Sequence, residues 1–191
     1  MKTMILDTST NMLYIAFVDD QKVIYEIKQA GKNNHSEHFL KAIEEGLKIL
    51  NLRVKDFDKI VVGIGPGSYT GLRISLTVAK IWAWTLNIPL YTVSSLDLLG
   101  SGYLTKNGIY AILSVAKSLH VYGKVIEVQA GKVTTLVKES FMEKDAFLNS
   151  ISHLNYSIID EQNYGVNLQG LQPSLVSDLH ALAPNYMRRE L

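Results

Sequence analysis

Cysteine is absent from the 191 residues, which removes disulfides, a thiol nucleophile and any cysteine-based zinc site, and suits a reducing compartment. Proline is scarce, at 4 residues, so breaks between elements must be read mainly from glycine and polar turns. An excess of one charge is also lacking. Nineteen Lys and Arg stand against 18 Asp and Glu, a net +1, leaving no overall field to gather nucleic-acid phosphates or anionic lipid. Long hydrophobic runs are missing too. The uncharged stretch at residues 81–96 has 16 residues and contains Asn87, Pro89, Thr92, Ser94 and Ser95, short of the about 20 apolar residues that span a bilayer. Asp7 falls inside the first apolar run, and no small-residue cleavage site follows it, so export is not expected. These absences together predict a soluble, cytoplasmic protein with no membrane partner.

What is present is ordinary for a folded chain. Hydrophobic residues make up 47% and charged residues 19%, too apolar for disorder and long enough for one large domain or two small lobes. Residues 4–7, 12–18 and 23–27 read as three strands joined by tight turns, an antiparallel meander. Asn34 with Glu37 gives a capping-box-like start, and Phe39, Leu40, Ile43, Leu47 and Leu50 recur at helical spacing, predicting a helix over 35–50. Residues 60–64 form a buried-type strand that empties into Gly65-Pro66-Gly67-Ser68-Tyr69-Thr70-Gly71. A helix over 72–86, a strand over 89–93 and a short helix capped by Ser94 complete an α/β first half.

Gly100, Ser101, Gly102, Asn107 and Gly108 mark a lobe boundary, predicting lobes at 1–101 and 102–191. The pattern then restarts. Strands are predicted over 109–115, 120–128 and 132–138, a helix over 139–151, a strand over 156–160 and a final helix over 174–182.

The glycine loop sits where a strand meets a helix, so its backbone N–H groups could face an anion, with phosphate the obvious candidate. Gly65, Gly67, Ser68 and Gly71, with Asp7 at the end of the first strand, form the candidate nucleotide-binding set. The Walker pattern fails at Gly71-Leu72-Arg73, and the dinucleotide fingerprint lacks its last glycine. A tight connection that merely positions the helix fits the same residues. Asp7 could orient a metal-bound water or cap its own turn through Ser9 or Thr10. His35 and His38 share a helix turn without a third ligand, and His120, His153 and His180 are scattered, so no metal is expected. No nucleophile elbow supports serine-hydrolase chemistry.

The helix after the loop carries two apolar stripes. Leu72, Leu76, Ala79, Ala83 and Leu86 form one, and Ile74, Val78, Ile81 and Trp82 form another nearly opposite. Arg73, Thr77 and Lys80 make a narrow polar seam. A small lobe has one sheet to cover one stripe. The second is read as the seat of a partner protein, with Trp82 as anchor; cover by the second lobe is the alternative.

The run from Gly63 to Ile74, with Ile5-Leu6-Asp7-Thr8-Ser9-Thr10, His35-Ser36-Glu37, Ile88-Pro89, Ser94-Ser95-Leu96 and the closing Tyr186-Met187-Arg188, closely resembles the TsaB (YeaZ) family. The resemblance implies an actin-like, Hsp70-like (ribonuclease H-like) ATPase fold with a mixed sheet in each of two lobes. It implies a non-catalytic subunit, without catalytic residues or cofactor. Such a subunit pairs with the catalytic subunit TsaD and the ATPase TsaE, so that TsaD moves a threonylcarbamoyl group onto the tRNA adenosine next to the anticodon. The family's pairing surface comes from first-lobe helices, here Phe39, Ile43, Leu47, Arg73, Ile74, Val78, Ile81 and Trp82. A homodimer through the same helices is expected when TsaD is absent, with tRNA met only indirectly. Where the family carries Asp-Ala-Arg before Glu-Val-Tyr, this chain has Val115-Ala116-Lys117 before His120-Val121-Tyr122, losing a carboxylate where two lobes would face a nucleotide. The rival expectation is an independent kinase or ATPase using the glycine loop and Asp7.

Overall fold

A computed structural model describes residues 1–30 and 35–187. Asn34, the expected cap, and Arg188 of the closing motif lie outside these. Three strands open the chain: β1 (Lys2–Asp7), β2 (Met12–Asp19) and β3 (Lys22–Ala30). They form the antiparallel meander that the tight turns predicted. Helix α1 (His35–Ile49) then returns the chain to β4 (Lys59–Gly63), parallel to β1. Helix α2 (Tyr69–Leu86) leads to β5 (Leu90–Val93), parallel to β4. α2 stops at Asn87, whose left-handed φ of 54° lets its N–H close on Ala83 O, an amide residue tolerating that region at little cost.

The first sheet has the order β10-β5-β4-β1-β2-β3. Its centre is covered on both faces, so β1 and β2 read as continuous apolar runs. Met4, Leu6, Leu13, Ile15 and Phe17 pack against α1 and α2. Ile5, Tyr14, Ala16 and Val18 face Leu98 and Leu171 on the other side.

Helix α3 (Ser95–Gly100) joins the lobes. Its Leu98 belongs to the first lobe's core, while Leu96 and Leu99 pack with Tyr110, Ile112 and Ile126 of the second. The second sheet holds β6 (Gly108–Val115), β7 (His120–Gln129), β8 (Lys132–Glu143) and β9 (Tyr156–Ile159), in the order β8-β7-β6-β9. A meander followed by a helix, α4 (Lys144–Ser150), and a strand parallel to the meander's first repeats the opening of the first lobe. The strand orders 3-2-1-4-5 and 3-2-1-4 define two mixed sheets of an α/β, actin-like (ribonuclease H-like) fold.

Two predicted helices are corrected. Residues 139–143 continue β8, because Tyr122 pairs with Phe141 and Val121 with Met142 across the ladder; helix begins only at Lys144. Residues 174–182 are not helical. Ser174–Leu175 forms β10 on the open edge of β5, and the Asp178 carboxylate then accepts from the N–H groups of His180 (2.8 Å) and Ala181 (3.1 Å), a local turn that competes with helix. The chain enters the second sheet at β6, and residues past β9 return to the first lobe. Leu171 packs in its core and β10 extends its sheet.

Candidate functional site

The glycine loop is packed against the turn between β1 and β2. Ser68 N–H donates to Ser9 O at 2.6 Å, and Thr8 Oγ1 donates to Gly71 O at 2.5 Å while accepting from Ser75 N–H at 3.3 Å. A Cβ on Gly67 would run into Ser9 O, and one on Gly71 into Thr8 O. These two glycines therefore serve close backbone approach within the fold. Ser68 caps α2 by accepting from Gly71 N–H at 3.4 Å. Gly65, at φ 101°, donates to Ser95 Oγ at 2.9 Å, and its open face meets Asn185 O.

Asp7 is buried and accepts from Ser9 N–H at 2.7 Å. Burial pushes its carboxyl above the usual range, with Ser9 and Ser95 pulling the other way. Gly63 leaves the room that the carboxylate fills. Of its two readings, the turn cap is the one its contacts support.

A cleft of about 460 Å³ lies between the lobes, walled by Ser9, Thr10 and Asn11, by residues 67–70, and by Val115, Ala116, Lys117, Tyr122 and Phe141. Gly67 and Ser68 of the candidate nucleotide set line it; Asp7, Gly65 and Gly71 do not. No carboxylate stands among the described residues lining this cleft. Tyr122 OH crosses it to Gly67 O at 3.3 Å. Beside a second, 670 Å³ cleft, Lys124 pairs with Asp97 at 2.5 Å and Ser94 donates to Glu139. Burial raises the Glu139 pKa, against the pull of the Ser94 hydroxyl and Lys124. Three polar contacts thus tie the lobes together across the space between them. Among the described residues no group of three or more His, Cys, Asp and Glu could hold a metal, and no helix is long and apolar enough to cross a membrane.

The helical surface differs from its reading in the sequence. Phe39 and Ile43 are buried in the first lobe's own core, so they leave the proposed pairing set: the sheet takes the apolar face of α1. Leu47 is half-buried against that core, as are Ile74, Val78 and Trp82. Arg73 and Ile81 are exposed, and so are Leu40 and Ile49 of α1. The residue missed is Trp84, 66% exposed. It falls on the line of Arg73, Thr77 and Ile81, three turns beyond Arg73, so the signal was a tryptophan on the seam otherwise read as polar.

Residues 23–182 match the family model for TsaD, tRNA N6-adenosine threonylcarbamoyltransferase. The tRNA threonylcarbamoyladenosine biosynthesis protein TsaB of Bacillus subtilis (strain 168) is 31% identical over 98% of this chain and 94% of that protein. The chain belongs to the TsaB (YeaZ) family. The TsaB protein of Escherichia coli (strain K12) is 27% identical over 60% of this chain and 49% of its own. YeaZ from Pseudomonas aeruginosa superposes with a TM-score of 0.65 at 24% identity, covering 74% of this chain and 67% of that one. A further solved protein, described as similar to peptidase YEAZ from Pseudomonas aeruginosa, reaches 0.74 at 18% identity over 98% and 99%. At that identity the structural likeness speaks for the TsaB fold alone.

Proposed function

We propose that the chain serves tRNA threonylcarbamoyladenosine biosynthesis as a non-catalytic pairing subunit. Its first-lobe helices bind a TsaD-type catalytic subunit, with a TsaE-type ATPase completing the set, and hold that subunit in its working form. The observation that carries this reading is the exposed apolar pair Ile81 and Trp84, one turn apart at 51% and 66% exposure. It lies on a helix whose inner stripe already fills the core, and a tryptophan anchor with aliphatic neighbours is the composition of an interface centre. Leu40 and Ile49 of α1 supply further exposed apolar surface. Asp7, the carboxylate of the candidate nucleotide set, is engaged in its own turn and does not line the 460 Å³ cleft.

Reconstitution tests it. The purified chain is inert alone and restores tRNA modification when mixed with TsaD, TsaE and a threonylcarbamoyl-adenylate supply; Trp84→Asp abolishes the rescue. Rescue that survives this substitution puts the pairing face elsewhere. The second reading, an independent ATPase or kinase, draws on Lys117, Ser68 and Thr10 around the 460 Å³ cleft. Calorimetry with ATP and magnesium decides it: tight binding followed by hydrolysis favours the enzyme.

A further inference from the structure

After β10, residues 176–187 run without helix along the flank of α2 that carries Tyr69, Arg73, Lys80 and Trp84. Contacts fix this segment from end to end. Val176 N–H donates to Leu90 O at 2.9 Å and Asn185 N–H to Ile64 O at 2.7 Å, while Leu179 and Leu182 are half-buried against the first lobe's core. The His180 ring meets Trp84 edge-on at 6.2 Å, and Lys80 Nζ donates to Leu182 O at 3.0 Å. At the far end Tyr186 packs on Tyr69 at 4.8 Å and accepts from Arg73 Nε at 2.9 Å. Between helix and segment lies a groove of about 330 Å³, walled by Thr77, Lys80, Ile81 and Trp84 on one side and by Leu179 and His180 on the other.

We propose that this groove is the socket of the pairing face: Leu179 and His180 touch the TsaD-type subunit together with α2, and the groove takes one large apolar side chain that the subunit projects from a carboxylate-bearing surface. This rests on the reading of α2 as the pairing face. The exposed pair Ile81 and Trp84 forms part of the groove wall, so a partner seated on that pair reaches the groove. Binding energy at an interface concentrates where an anchor side chain fills a pocket. Because the segment is already fixed along the helix, the socket needs little ordering when the anchor enters, which lowers the cost of association. Charge gives the surroundings of the anchor. α2 carries Arg73 and Lys80 and no acidic residue, and the Lys80 ammonium keeps two further protons to donate beside the one that Leu182 O accepts. Asp178, the acidic residue of the segment, turns its carboxylate back onto the His180 and Ala181 N–H groups at 2.8 and 3.1 Å. A carboxylate of the partner beside Lys80 completes the rim.

Titration calorimetry of the full chain against a purified TsaD-type subunit tests the socket. Leu179→Ala, which removes a wall, should weaken binding by about 10-fold. Thr77→Phe fills the groove from an exposed position and should weaken it at least as much, with far-ultraviolet dichroism and thermal midpoint unchanged; it serves if Leu179→Ala loosens the fold. Lys80→Gln keeps a donor for Leu182 O and removes the charge, and should weaken binding by less while flattening its dependence on salt. Trp84→Asp in the same assay separates the two readings. If Trp84→Asp abolishes binding while Thr77→Phe and Leu179→Ala bind as the parent does, the socket is overturned and α2 remains the pairing face. If binding survives Trp84→Asp as well, the pairing face lies elsewhere and the socket falls with it.

Discussion

Ser94, the N-cap of α3, donates its hydroxyl proton to Glu139 on β8, so one side chain both starts a helix and bolts the two lobes together. The same oxygen accepts from Leu96 N–H at 3.2 Å and Asp97 N–H at 3.4 Å, and Asp97 in turn pairs with Lys124 at 2.5 Å. The apolar weld of Leu96 and Leu99 lies alongside. Lobe opening, on which ligand exchange in a two-lobed cleft depends, must break all of these.

The Glu139 carboxyl is pushed up by burial, and its effect on stability follows in sign. A carboxyl whose folded pKa exceeds its unfolded value of about 4.3 gives its full contribution below that value, and loses it as pH rises through the folded pKa. Glu139→Gln keeps an acceptor for Ser94 and removes the ionisation. The variant should be at least as stable as the parent at pH 7, with the difference closing below about pH 4, in denaturant melts run across that range. A variant less stable at pH 7 would show that the Lys124 attraction outweighs burial.

Gly67→Ala and Gly71→Ala should each cost about 1–3 kcal/mol, because the new methyl meets a carbonyl oxygen of the β1–β2 turn. Gly165→Ala has only ordinary contact with Gly102 at 3.6 Å and should stay within about 0.5 kcal/mol. Chemical denaturation of the three variants checks the contrast; equal effects would mean that the loop can move off its turn.

Trp84 and Trp82 should separate pairing from folding. Trp84→Asp, at a 66% exposed position, should leave the unfolding free energy within about 0.5 kcal/mol of the parent and abolish rescue in the reconstituted reaction. Trp82→Asp places a charge among half-buried apolar groups, and should destabilise the chain itself by about 1–3 kcal/mol.

Asp7→Asn asks what the buried carboxyl is for. Ser9 N–H can donate to the amide oxygen as it does to the carboxylate, and the cost of ionising a group whose pKa burial raises disappears. Stability at pH 7 should hold or rise, the gap to the parent closing below about pH 3.9, and rescue should persist. Loss of rescue with the fold intact would return Asp7 to the ligand-binding set.

The elements legible in the sequence were those whose pattern is local. Ser94 announced α3 as its cap, the glycine loop after β4 announced α2, and the turns between β-rich runs gave both meanders. The misread helix over 174–182 shows the limit. Val176, Leu179 and Leu182 repeat every three residues as a helix stripe would, yet they pack half-buried against the first lobe's core from a segment without helix. The extension of β8 to Glu143 was hidden for a similar reason, since its partner residues 120–122 are remote in sequence.

Sequence alone determined the α/β alternation, the glycine loop between strand and helix, the family and the presence of more apolar surface on α2 than one sheet needs. All of these depend on neighbours within a few residues or on residue identity. Tertiary structure decided which apolar residues stay outside: Phe39 and Ile43 went inward, Ile74, Val78 and Trp82 became half-buried against the first lobe's core, and Trp84 stayed out. Burial is settled by what arrives from far along the chain, and periodicity reports only that a face is apolar, never what will cover it.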